Sequence, residues 1–289
     1  MTSRELDRIR GIADPRERAK ASHALIEDLR AQAAEASGIR KAAIGELITR
    51  GGASRVQAAG LLGVSRERIR QILAEGPPPE RALLAPDPGP VTFAVVQKRD
   101  AESGGPALAN STRKALAALE AAAAALDIET AEEKIGPPGM IDLNRGNLAV
   151  LIGPRMSALI VQALSADPVI RWRKDRRGLW YVTDTKTGEE FHSDFDDGWQ
   201  AHADGERSCI AHIGRIRRPD GQGSFLYLGG AHAPGTAGAV AYFIREMPAI
   251  WEQVRRSPLW SAVVRTVADD DGIPVSSELV TPVYTHGKP

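Results

Sequence analysis

Residues 54–74 read SRVQAAGLLGVSRERIRQILA. The stretch spells two short helices around a tight turn, a helix-turn-helix. Ser54 and Ser65 each stand where an N-cap belongs, with a hydroxyl oxygen able to accept from an otherwise orphaned backbone N–H. The first helix is predicted over Arg55–Leu62. Gly63 ends it, because glycine takes the left-handed conformation that a sharp turn needs. Val64 fills the corner, and Ala58 and Ala59 let two helices cross closely. Leu62, Val64, Ile69 and Ile72 form the expected apolar seam. Arg66, Glu67, Arg70 and Gln71 are left outward on the second helix, where such side chains reach the base edges and phosphates of a duplex. With Ser54, Arg55 and Ser65 they make up the expected DNA-contacting set. The competing reading is an αα-hairpin that only packs. It leaves unexplained why capping, turn, small and apolar positions all agree.

Upstream, residues 3–36 carry a helical pattern that breaks and restarts at Asp14-Pro15, and a further helix is expected from Gly38 to the closing pair Gly51-Gly52. Residues 1–76 are thus expected to form an all-α bundle with the helix-turn-helix at its end. Its long, arginine-studded helix offers a surface either for packing within the bundle or for a homodimer. Residues 76–90 hold six prolines and two glycines, so residues 77–90 read as a semi-rigid linker. The first 76 residues contain fourteen Lys/Arg against ten Asp/Glu, leaving twenty-three against twenty-seven in the remainder. A mildly basic head on a mildly acidic body fits a DNA-binding head. The net charge of zero argues against a general polyanion binder.

From residue 91 the periodicity changes. Strands are predicted at 91–97, 148–152, 210–216, 225–228, 263–267 and 279–284, with a hairpin at 169–173 and 179–183. Between them lie helices at 111–129, capped by Ser111, at 156–164, and at 236–247 followed by a short one around Trp251. Alternating strands and helices define an α/β domain over 91–289, and the hairpin makes its sheet mixed rather than purely parallel. The fold class is therefore multi-domain, all-α followed by α/β.

Two strand-to-helix turns stand out in this domain. In LAVLIGPRMS, residues 148–157, a buried strand delivers Gly153, Pro154, Arg155 and Ser157 to a helix start. In FLYLGGAHAPGTAGA, residues 225–239, a second strand delivers Gly230, His232, Gly235 and Thr236 in the same way. Backbone N–H groups at a helix start, joined by a guanidinium, attract anions, and open α/β sheets bind ligands at that edge. These eight residues form the expected site for a small anionic or nucleotide-like ligand. The alternative is two tight turns whose glycines only permit close packing. The segment GAHAPGT has the outer glycine spacing of a phosphate-binding P-loop but no Lys before Thr236, which argues against nucleoside triphosphate hydrolysis. No G-x-S-x-G elbow is present, and no G-x-G-x-x-G joins a strand to a helix.

Residues 192–212 are rich in acids and histidines. Counting back from Gly198 puts Phe195 in a calcium-ligand slot, and His202, Cys209 and His212 match no zinc spacing, so a solvated loop is expected, with a ligand-gated lid as the alternative, and no metal or other cofactor. Cys209 is the single cysteine, which rules out an intrachain disulfide and suits a cytoplasmic setting. The charged N-terminus lacks a signal-peptide pattern, and no apolar stretch reaches the ~20 residues that span a bilayer, so no membrane partner is expected.

The segment VSRERIRQIL, residues 64–73, resembles the recognition helix of primary-type bacterial sigma factors. No segment resembles the sigma regions that clamp polymerase or melt promoters. Taken with GPRMS, GRIRRPDGQGSFLYLGGAHAPGTAGAVAYF and SSELVTP, the chain resembles actinobacterial sigma-factor-like helix-turn-helix regulatory proteins. In those, a helical DNA unit precedes an α/β domain. The resemblance implies DNA contacts for Arg66, Glu67, Arg70 and Gln71, and it implies architecture rather than an activity for the second domain. The expectation is a transcriptional regulator, dimeric on double-stranded DNA, whose α/β domain senses an anionic ligand or a protein partner. The rival is an enzyme acting on a nucleoside-like metabolite, with Asp194, Asp196, Glu206 and His232 as acid–base groups. A third reading is a protein-interaction module.

Overall fold

A computed structural model describes residues 2–49, 51–74, 78, 80–99, 106–194 and 207–286. The chain divides into two compact units, 1–77 and 78–289.

The first unit is helical: α1 (Thr2–Arg10), α2 (Pro15–Thr49), α3 (Arg55–Leu62) and α4 (Arg66–Ala74). Pro15 opens α2 at its first position, where a missing N–H costs nothing. The helix then runs straight through Gly38, where a new start was expected. A mid-helix glycine costs only about 1 kcal/mol against alanine, too little to break a long helix alone. Ile44 of α2 packs with Ala58 and Ala59 of α3 and with Ile69 and Ile72 of α4. Leu62 and Val64, expected in that seam, are exposed instead. They flank the left-handed Gly63 at the turn, outside the cluster around Ile44.

The second unit is built on an eight-stranded mixed sheet. In chain order its elements are α5 (Arg81–Leu84), β1 (Val91–Val96), the short β2 (Lys98–Arg99) and β3 (Pro106–Ala107), α6 (Asn110–Ala125), β4 (Thr130–Ile135), β5 (Leu148–Leu151) and α7 (Ala158–Leu164). There follow β6 (Ile170–Lys174), β7 (Trp180–Asp184), β8 (Glu190–Phe191), β9 (Arg207–Arg217), β10 (Ser224–Gly230), α8 (Ala233–Val254), β11 (Leu259–Ala268), β12 (Pro274–Leu279) and β13 (Tyr284–His286). The sheet order is β12-β11-β9-β10-β5-β1-β4, with β13 also on β11. Strands β4, β1, β5 and β10 are parallel, and β9, β11 and β12 continue antiparallel. A separate three-stranded sheet holds β6, β7 and β8.

Both faces of the main sheet are covered, and strand residues alternate between them. Phe93, Leu151, Leu226, Ile213 and Val264 meet α5, α6 and α8 on one face. Val150, Phe225 and Tyr227 meet α7 on the other, where Ile210 and Val263 meet the small sheet.

The structure departs from the sequence reading at five places. The segment read as a linker carries α5, whose Leu83 and Leu84 are buried in the core. Asn147 pins the same segment by accepting from the Asp87 N–H at 3.0 Å and donating to the Asp87 carbonyl at 2.8 Å. The edge strand β4 (TAEEKI) was missed because it is nearly all polar and exposed, as suits a sheet edge. Helix α6 begins at Asn110, with Ala109 as N-cap, so Ser111 lies inside it and caps nothing. Helix α8 passes through Pro248 as one element, and the strand expected over 279–284 straddles the turn between β12 and β13. Among the described residues no helix is long and apolar enough to cross a membrane.

Candidate functional site

In the first unit, Ser54 and Gln57 form a reciprocal capping box: the Ser54 hydroxyl accepts from the Gln57 N–H at 3.2 Å, and the Ser54 N–H donates to Gln57 Oε1 at 2.7 Å. Gly63 sits at φ 65°, in the left-handed region. The Ser65 hydroxyl accepts from the Arg68 N–H at 3.0 Å and so starts α4. Both serines thus serve the backbone, and Arg55 is exposed beside the first.

With Ile69 and Ile72 turned inward, Arg66, Glu67, Arg70 and Gln71 are all exposed. They are not independent. The Arg70 guanidinium donates to Glu67 through Nη2 at 2.6 Å and Nε at 2.9 Å, which lowers the Glu67 carboxyl below its usual range. Arg68 donates to Gln71 Oε1 at 3.3 Å. Arg68, absent from the expected set, is a third arginine on a helix with one acid. Ion pairs on an exposed helix face are weak and salt-screened, so a phosphate can replace Glu67 as the partner of Arg70.

In the second unit, β1 leads to α6 on one face, β5 to α7 on the opposite face, and β10 back to α8 on the first. In open α/β sheets such a reversal is where ligands bind, at the carboxyl ends of the strands. The two glycine turns meet there. A Cβ on Gly153 would run into the Gly230 carbonyl, and one on Gly230 would lie 2.5 Å from the Thr236 nitrogen. Arg155 Nη2 and His232 Nε2 stand 3.4 Å apart, joining the two turns at their rim. His232 is the extended N-cap residue of the 22-residue α8, and its side chain makes no capping bond. A guanidinium beside a long helix's positive end favours an anion.

Other predicted members of this site face inward. The Ser157 hydroxyl caps α7 by accepting from the Ile160 N–H and donates to the Gly139 carbonyl at 2.7 Å. Thr236 Oγ1 accepts from the Gly230 N–H at 2.9 Å. Gly235 lies against Cys209, where a Cβ would come within 2.6 Å of Sγ. Pro154 is buried. Of the eight residues, Arg155 and His232 carry the polar chemistry at the rim. Gly153, Pro154, Ser157, Gly230, Gly235 and Thr236 set its shape.

The acidic segment lies partly within the described residues. Asp194 accepts from the Ser208 N–H at 3.2 Å and hydroxyl at 2.6 Å, which fixes it as a brace for the start of β9. Asp196, His202 and Glu206 lie outside the described residues. Cys209 and His212 are three apart on an extended strand and so lie on opposite faces, where they cannot share an ion.

Sequence reasoning missed a buried polar cluster beneath the sheet. Asp167, from the turn after α7, stands 3.1 Å from His212 Nε2 and 3.6 Å from His286 Nε2, and His286 Nε2 is 2.7 Å from Ser261 Oγ. Asp167 also accepts from the backbone N–H groups of Val169 and Ile170. Burial alone would raise its carboxyl. The His212 imidazole, the Ser261 hydroxyl and the Ile170 N–H outweigh burial and hold it well below the usual range. Burial pushes His286 down. The grouping has the composition of a hydrolytic triad but not its geometry, because one ring nitrogen of His286 faces both Ser261 and Asp167. Ser261 and Asp167 are also shut away from solvent. The four groups come from positions up to about 120 residues apart, and no local pattern joins them.

No protein-family model, curated protein or solved structure matches the chain.

Proposed function

We propose that the protein is a DNA-binding transcriptional regulator, acting as a homodimer, whose α/β unit takes a small anionic, nucleotide-like ligand at the carboxyl edge of its sheet. The single observation that supports DNA binding best is α4. It is capped by Ser65, anchored by Ile69 and Ile72 in a core with Ile44, and lined outside by Arg66, Arg68, Arg70 and Gln71. A short helix that is rigid inside and cationic outside suits the major groove. The ligand reading rests on Arg155 and His232 at the start of α8. A ligand alters DNA affinity only by binding two states of the protein unequally.

The test is recovery of fragmented genomic DNA by the full-length protein, followed by sequencing, with the Arg66→Ala/Arg70→Ala double variant alongside. A few sharply enriched sites sharing a motif, lost in the variant at unchanged melting temperature, are expected. Uniform recovery, or enrichment that survives the substitutions, overturns the assignment of α4. For the second unit, calorimetry against nucleoside mono-, di- and triphosphates should give binding that Arg155→Ala weakens. Binding indifferent to that change sinks the carboxyl-edge site.

A further inference from the structure

At the other end of the sheet, away from the glycine turns, α5, the last turn of α8 and the start of β11 border an open pocket of about 420 Å³. It falls within the range of small-molecule sites, roughly 300–1,000 Å³. Its walls are largely apolar: Leu83 of α5, Trp251 and Val254 of α8, and Trp260 of β11. Trp260 is 1% exposed, and its indole N–H finds no acceptor among the described residues.

Arg215 of β9 also lines the cavity, at 5% exposure. Its guanidinium donates to the Leu83 carbonyl at 2.7 and 3.2 Å, to the Leu84 carbonyl at 3.3 Å and to the Ser224 hydroxyl at 3.4 Å. All these acceptors are neutral. Among the described residues no carboxylate lies within ion-pair distance of it. Burial lowers its pKa to about 10, so it stays cationic at neutral pH. Arg255 and Arg256 stand at the rim, and no Asp or Glu lines the space. Beyond those dipoles the more distant Asp87 carboxylate offsets part of this desolvated charge, and an anion at the guanidinium would offset the rest.

We infer that this cavity is a binding site for a small amphipathic anion, a carboxylate or phosphate monoester on an apolar body. The charged end would lie toward Arg215 and Arg256, and the body between Trp251 and Trp260. The site is separate from the carboxyl edge and does not depend on the regulator reading.

The test titrates the full-length protein with sodium decanoate and with 1-naphthoate, followed by tryptophan fluorescence and calorimetry. Decanol and naphthalenemethanol serve as neutral counterparts. One-to-one saturable binding of an anion is expected, at least about tenfold tighter than its neutral counterpart. Ala82→Trp fills the cavity from a half-buried wall position and should abolish binding at unchanged melting temperature. Arg256→Ser should weaken it several-fold without touching the core. Absence of saturable binding to the wild type at millimolar anion, equal affinity for the neutral compounds, or full binding by folded Ala82→Trp each overturns the assignment.

Discussion

Replacing Gly230 with Ala tests how the candidate site is held together. The added methyl would lie 2.5 Å from the Thr236 nitrogen, 2.6 Å from the Gly235 carbonyl carbon and 2.8 Å from the Gly235 Cα. All three are backbone atoms of the first turn of α8, so no rotamer change relieves the clash. Ordinary contact begins near 3.5 Å, and the helix start must therefore retreat by about 1 Å. Overpacking of this kind costs roughly 1–3 kcal/mol. The upper end applies here, because the same movement stretches the bond from the Gly230 N–H to Thr236 Oγ1. For a unit of this size ~3 kcal/mol corresponds to a drop of about 6–12 °C in melting temperature. Differential scanning calorimetry of the full chain would read it. Gly60→Ala, in α3 with nothing within 4 Å of the new methyl, is the matched control and should stabilise by roughly 0.5–1 kcal/mol. If Gly230→Ala melts within about 2 °C of the wild type, the two turns are not packed as described.

Ile69→Ala empties a fully buried position in the small core of the first unit and should cost about 2–5 kcal/mol, seen as early loss of helical circular dichroism in a urea titration. Ser65→Ala removes the cap of α4 and should cost about 1 kcal/mol by the same assay. Gly235→Ala should destabilise through its clash with Cys209, and Cys209→Ala in the same chain should recover much of the loss in a double-mutant cycle. The folded state holds His286 neutral, so its contribution is present above the unfolded value near 6.5 and is lost as pH falls below it, by at most about 1.4 kcal/mol per pH unit. Urea midpoints measured from pH 8 to pH 5 should fall over that interval in the wild type and fall less in His286→Gln.

What was legible in the sequence was what short-range chemistry decides. Ser54, Gly63 and Ser65 act on backbone groups within four residues of themselves, so the bounds of α3 and the start of α4 could be read directly. The buried run at β5 carried its own signal for the same reason. The rest depends on partners far along the chain. Leu83 and Leu84 look like two apolar residues in a proline-rich stretch, and partners far along the chain, Arg215 more than 130 residues away among them, give them a seat. Strand β4 pairs with β1 along its backbone and buries only Ile135, too little for a hydrophobic pattern to announce. At the candidate site the glycines were visible. Their role as spacers was not, because the atoms that Gly153 and Gly235 make room for lie on other strands. Asp167, His212, Ser261 and His286 are brought together only by the completed sheet.

The seat of α5 also decides where this molecule can be cut. A fragment begun at residue 91, where the strand pattern starts, would leave behind Leu83 and Leu84 together with both carbonyls that Arg215 addresses. It would expose the apolar floor that Leu83 and Leu84 cover and remove the carbonyls that fix the Arg215 guanidinium. A fragment begun at residue 78 keeps the whole assembly. A fragment meant to keep the second unit intact therefore includes the proline-rich stretch from residue 78, which looks like packaging in the sequence.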